Sequence, residues 1–182
     1  MYPVRTGSKR FDRFRQKFCR RVKVGGEFVH VCDEIFDGIY AGDRGRVLYA
    51  DSIEKLDKFF YCDTEEKNRR INACVWRHKD SDFKDYYFNK VSDIVLPETD
   101  LITVRGKRKP VSAVRLGISY VDRDLLKKAL EVFVGYPVRV IYTKSRKDKF
   151  SPIVVRNMAT DEVIVISPYI SDVFWKEVES HV

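Results

Sequence analysis

The sequence contains no apolar run near the ~20 residues that a helix needs to cross a bilayer. Its opening, MYPVRTGSKRFDRFRQKF, is basic but lacks the apolar core of a secretory signal. The expected location is therefore inside a cell: the cytoplasm, or the host cytoplasm for a viral chain. Cysteine is sparse. Cys19, Cys32, Cys62 and Cys74 form no C-x-x-C pair, and His30, His78 and His181 show no zinc-ligand spacing beside them. Free thiols in reducing surroundings are expected, with a metal or disulfide role as the lesser alternative. Walker A, G-x-G-x-x-G, H-E-x-x-H and G-x-S-x-G patterns are all missing. Gly42 and Gly45, with Asp43 and Arg44 between them, read as a turn rather than a phosphate cradle. Asp80, Asp82 and Asp85 have the chemistry to hold a divalent ion, but their Lys- and Asp-rich setting reads as a solvated loop. His78, close to Trp76, reads as a surface residue. No catalytic residue, cofactor or metal is assigned, and an enzyme is not expected.

What is present is enough apolar material, 44% of 182 residues, for the core of one domain. The net charge is +8, and its placement carries more information than its size. Residues 1–23 hold nine Lys and Arg against one acid, Asp12, while the rest of the chain carries equal numbers of bases and acids. Charge concentrated in this way suits a polyanion: nucleic acid, an acidic lipid surface or an acidic protein patch. Phe11, Phe14, Phe18 and Val22 recur at three- and four-residue spacing among these cations, which predicts an amphipathic helix ended by Gly25 and Gly26. Residues 1–10 read as disordered. The chain divides into a basic arm with this helix, 1–25, and a single α+β domain, 26–182.

Along the domain, strands are expected at 27–31 and 46–50. A helix capped by Asp51 or Ser52 should bury Ile53, Leu56, Phe59 and Phe60. Further strands are expected at 70–77, 84–91 and 101–105, with Pro97 in a loop or edge. The segment 112–120 reads as one strand. Asp122 should cap a helix that turns Leu125, Leu126, Ala129, Leu130 and Phe133 inward and stops at Gly135 and Pro137. Strands follow at 137–143, 151–157 and 162–167, then a last helix from Ser171. Residues 46–105 and 112–167 thus share one order of elements. The predicted fold class is α+β: duplicated β-α-β-β-β units forming an antiparallel sheet with two helices on one face, behind the basic arm.

The succession DLLKKALEVF, VRVIY, SPIVV and EVIVISPYI resembles the closing part of a bacterial-type DNA sliding clamp, the processivity factor of replicative polymerases. SIEKLDKFF…EEKNRRINACVW resembles the opening of the same domain, so the likeness spans roughly residues 46–170. The resemblance implies helices that present Lys55, Lys58, Arg123, Lys127 and Lys128 to duplex phosphates without reading bases. It also implies that Val165, Ile166, Ser167 and Pro168 help line a hydrophobic groove for polymerase-type partner peptides; a buried core strand is the alternative. Clamps carry four or six such units per chain and close a ring of twelve. This chain has two, so a comparable ring would need six copies.

The first functional expectation is a non-enzymatic accessory protein that binds nucleic acid, DNA for preference, without sequence readout. Its contacts would be Arg10, Arg13, Arg15, Lys17, Arg20, Arg21 and Lys23 of the arm, the helix cations above, and the basic turn Arg105, Lys107, Arg108 and Lys109. The aromatic face of residues 11–22 would either dock on the domain or stack on bases. The second is a viral or phage structural protein, or an inhibitor of a host machine, whose arm meets an acidic partner or packaged genome; homo-oligomerisation fits both. Membrane binding through the basic helix is a third and lesser reading. On the first reading, affinity falls steeply with salt, and deleting residues 1–23 weakens it more than reversing any single helix charge.

Overall fold

A computed structural model describes residues 8–36, 38–56, 83–88, 101–102, 111–116, 119–143 and 152–168. Three phenylalanines set the first element. In α1 (Lys9–Phe18) the Ser8 hydroxyl accepts from the Phe11 N–H at 3.3 Å and caps the helix. Ser8, Lys9 and Arg10 are therefore ordered, where the composition suggested disorder. Phe11 and Phe14 are 0% exposed and Phe18 is buried with them.

The helix stops at Phe18, short of the expected Val22. Beyond it the period changes from helical to alternating. β1 (Arg20–Val24) and β2 (Glu27–Val31) pair antiparallel from Arg20↔Val31 to Val24↔Glu27. Gly25 and Gly26 join them with φ of +59° and +89°. Positive φ at both central residues makes the kind of two-residue turn whose twist matches a hairpin, and glycine adopts it without a Cβ clash. Val22 continues the phenylalanine spacing numerically. Its β-branched side chain and the Gly-Gly turn favour the ribbon.

Among the described residues the main sheet has seven strands. β3 (Glu34–Phe36), β4 (Ile39–Gly42), β5 (Val47–Ala50) and β6 (Phe83–Phe88) come from the first half of the chain. β7 (Leu101–Ile102), β8 (Val111–Leu116) and β9 (Ser119–Asp122) form a separate three-stranded sheet. After α2 (Arg123–Val132), β10 (Val138–Thr143), β11 (Ile153–Asn157) and β12 (Val163–Ile166) complete the main sheet in the order β3-β4-β5-β12-β11-β10-β6. Every pairing in it is antiparallel. The fold is mixed α+β, as expected. Residues 112–120 are not one strand: β8 and β9 fold back on each other, with Ala113 opposite Asp122 and Leu116 opposite Ser119. The expected strand at 70–77, the loop around Pro97 and the helix from Ser171 lie outside the described residues.

Alternation along the strands makes two faces. Val47, Tyr49, Ile164 and Ile166 point to one, where α1 and α2 both pack; Leu48, Ala50, Val163 and Val165 point to the other, with Leu56 and Ile53. Residues 53–56 are helical. The helix beginning there and α2 were expected to share a face, and they lie on opposite sides. Strand alternation fixes two apolar faces, and each helix covers the one its own stripe reaches. The helix beside α2 is α1. It belongs to the core rather than to an appended arm, because the Phe11 ring lies 4.5 Å from Tyr40 and 5.1 Å from Tyr49, and Phe14 lies 5.2 Å from Tyr49. At the end of α1, a Cβ on Gly42 would meet the Phe18 Cβ and carbonyl oxygen at 2.8 Å, so β4 approaches as closely as a side-chain-free residue permits.

Burying three Phe side chains stabilises by roughly 4–9 kcal/mol, on the scale of a whole domain's net stability. Phe14→Ala is therefore expected to cost about 3–5 kcal/mol in urea unfolding of the full chain. Removing residues 1–23 is expected to abolish the cooperative transition, where a detachable arm would leave it intact.

Candidate nucleic-acid interface

The cations of α1 have partners in the fold. Arg10 donates to the Glu162 carboxylate and, at 2.9 Å, to the Tyr136 hydroxyl. Glu162 is 5% exposed and also accepts from the Tyr49 hydroxyl. A carboxylate so buried requires a counter-charge and donors, and α1 supplies the charge. Burial opposes the charge on Arg10, but Glu162 and Tyr136 together more than offset it and hold the guanidinium above its usual range. Burial first, then the bond to Glu162, push the Tyr49 phenol well above its ordinary value. Arg13 donates to the Val132 carbonyl at 3.3 Å, at the C-terminal end of α2, which has no basic residue in its own last turn. Arg15 pairs with Asp12 at 2.5 Å and Lys17 with Glu131 at 2.6 Å. Arg10, Arg13, Arg15 and Lys17 thus tie α1 to the domain or to itself, and the expectation of a free polyanion-binding arm does not hold for this half of it.

The other half is different. Arg20, Arg21 and Lys23 lie on β1, are exposed, and make no ion pair among the described residues. Pairing register divides the ribbon into two faces. Arg21 and Lys23 stand opposite His30 and Phe28 on one; Arg20, Val22 and Val24 stand with Val31, Val29 and Glu27 on the other. Phe28 is 58% exposed, with the Arg21 guanidinium 4.0 Å and the Lys23 ammonium 5.9 Å from its ring centre. Each places a cation over the aromatic face. Val24, 53% exposed, stands at the tip. The cations were legible in the sequence; Phe28 and His30 as their companions were not, although the Gly25-Gly26 turn was the signal that would have paired them.

A second basic area forms where α1 meets α2. Hydrogen bonding from Lys17, then the charges of Lys127 and Lys128, hold the Glu131 carboxyl below its usual range. Arg123, Lys127 and Lys128 are exposed on α2. Lys55 does not join them, because it pairs with Asp51 at 2.8 Å on the helix start across the sheet. Lys58, Arg105, Lys107, Arg108 and Lys109 lie outside the described residues. The expected partner groove is not formed by Val165 and Ile166. They are buried on β12, hydrogen-bonded between β5 and β11 at the sheet's centre. Pro168 is buried as well, and the half-buried Ser167 donates its N–H to the Arg46 carbonyl at 2.9 Å. This strand is core, because both of its edges and both of its faces are covered.

Asp85 falls on β6, while Trp76, His78, Asp80 and Asp82 lie outside the described residues. Among the described residues, no three His, Cys, Asp or Glu side chains gather as metal ligands, and no helix is long and apolar enough to cross a membrane. Cys19 and Cys32 are free thiols, and they are in contact at 3.3 Å.

Two outcomes follow from the Glu162 cluster. Glu162→Ala, which strands the Arg10 charge, should cost about 3–5 kcal/mol in urea unfolding, and replacing Arg10 and Glu162 together with Met and Leu should recover most of it. Because the folded-state pKa of Tyr49 is raised, its contribution is complete below the ordinary tyrosine value near 10 and declines as pH rises past it. Tyr49→Phe should flatten the alkaline fall of the urea midpoint; an equal slope in both proteins would contradict this. Comparison of the chain with protein-family models, with characterised proteins and with solved structures finds no match.

Proposed function

We propose that this protein is a non-enzymatic nucleic-acid-binding accessory factor that grips the phosphate backbone with the β1–β2 ribbon and prefers single strands. One observation carries the reading: Arg21 and Lys23 flank the exposed ring of Phe28 on a single ribbon face, beside Arg20, which makes no ion pair among the described residues. Cations around an aromatic platform suit single-stranded nucleic acid, because phosphates meet the charges while any base stacks on the ring. Such contact is independent of sequence and weakens with salt through counterion release. Arg123, Lys127 and Lys128 on α2 would lengthen the track, with Glu131 limiting its charge. The likeness to sliding clamps adds the same expectation of backbone contact, and with it two repeated β-α-β-β-β units, assembly of several copies and recruitment of replication proteins. β10, β11 and β12, consecutive antiparallel neighbours, agree with the last three strands of the second such unit. The exposed apolar tip, Val24 with Phe28, also favours a second reading in which the ribbon seats on a protein partner.

Fluorescence anisotropy with labelled single-stranded and duplex oligonucleotides, across a range of salt, separates these. Replacing Arg20, Arg21 and Lys23 with Ala should reduce the slope of log affinity against log salt by about 2 for a single strand, three phosphate contacts at about 0.7 each. Phe28→Ala should cost about 1–3 kcal/mol on the single strand and little on the duplex. Binding that survives the triple replacement with its salt slope intact overturns the proposal, and no binding by the unaltered chain favours the protein-partner reading.

A further inference from the structure

Each rung of the β1–β2 ribbon pairs positions whose numbers add to 51, from Val24 with Glu27 to Arg20 with Val31. By the same sum, Cys19 and Cys32 fall at the position of the next rung, just beyond the paired strands. Cys19 caps the end of α1 in an extended conformation, φ −99° and ψ 153°, so the chain is already strand-like there. Its thiol donates to the Cys32 sulfur at 3.3 Å. Opposed residues of an antiparallel pair have Cα atoms about 4.5–5.5 Å apart, inside the span that a disulfide bridges. Bringing the sulfurs from contact to bonding distance closes a gap of roughly 1 Å, within the reach of side-chain rotation.

We infer that Cys19 and Cys32 form a dithiol modification site, oxidised by a small-molecule disulfide to an intramolecular bond that joins the end of α1 to the end of β2. Cys19 is half-buried and Cys32 buried, which orders the steps. The Cys19 thiolate attacks one sulfur of the reagent R–S–S–R, forming a mixed disulfide and releasing one thiolate. The Cys32 thiolate then attacks the Cys19 sulfur and releases the second. The two cysteines lose two protons and two electrons, and one R–S–S–R becomes two R–SH. In the mixed disulfide Cys19 has no S–H left to donate, and the Arg15 guanidinium is the group that still favours the Cys32 thiolate for the resolving step. In the reduced pair the bond from Cys19 pulls the Cys32 thiol below its ordinary range against its burial. The same bond, together with burial, pushes Cys19 up. When the pair is singly ionised its one proton can move between the touching sulfurs, so Cys19 is the attacking thiolate in the tautomer that leaves the proton on Cys32.

The inference stands apart from nucleic-acid binding, because its readout is covalent. The full, unaltered chain is equilibrated in glutathione buffers of stepped ratio, quenched in acid, alkylated and mapped by mass spectrometry without reduction. A peptide pair linked through Cys19 and Cys32, lighter by two hydrogens, is the expected product. Urea should lower its formation constant by roughly 100-fold, since the fold holds the thiols together. Three results would overturn the site: both thiols remaining alkylatable in oxidised glutathione, Cys19 stopping as the glutathione adduct with Cys32 free, or linkage to Cys62 or Cys74 instead. If Cys19→Ser leaves Cys32 without a partner, with the folded signal unchanged, the pairing is specific; a disulfide to another cysteine in that variant contradicts it.

Discussion

The contact between α1 and the sheet determines most of what this molecule exposes. Phe11 and Phe14 fill the space over Tyr49 and Tyr40, and Arg10 reaches past them to the buried Glu162. Apolar burial provides the free energy; the ion pair fixes which carboxylate meets which cation and so the placement of the helix. Glu162 follows directly on Asp161, whose φ of 68° turns the chain into β12. The loop before a central strand, the strand β5 that carries Tyr49, and the first helix are therefore held by one cluster.

That arrangement redistributes the meaning of the basic N-terminal segment. Four of its nine cations have partners in the fold: a buried carboxylate, a helix C-terminal carbonyl, a neighbouring Asp and a Glu on α2. These positions are structural, and changing them alters stability before it alters any surface potential. Three more are displayed on a narrow two-stranded ribbon beyond the end of the helix. A ribbon held at one end by a packed helix offers charge and an aromatic ring at a defined spacing, which a disordered tail cannot do at comparable entropic cost. The dithiol lies where helix and ribbon join, so its chemistry and the ribbon's geometry share one rung.

Local signals were the readable ones. Asp122 with the leucine stripe of α2, the stop near Gly135, the alternation of β10 and the short apolar runs of β11 and β12 all follow from propensity and period, and the structure has them. The helix ends earlier than its spacing predicts because Val22 satisfies a helical spacing as well as a strand one, and nothing in a periodicity distinguishes them until the Gly-Gly turn is given its pairing consequence. Which face of the sheet a helix covers was not readable at all. Leu56 and Leu126 look alike in sequence and end on opposite sides. The same holds for charge. Lys17 and Glu131 are 114 positions apart, and Arg10 and Glu162 are 152 apart. Residue types for a basic surface were visible; which of them the fold would consume was not.

Native-state amide hydrogen exchange measures the central claim directly, that α1 belongs to the core and the ribbon projects from it. Amides of Phe14 and Phe18 should exchange with the same opening free energy as Ile164 on β12, through global unfolding, while Lys23 to Phe28 exchange through smaller local openings. Exchange of α1 far faster than that of β12, with β12 protection unaffected, would mean that the helix detaches on its own and would contradict the account.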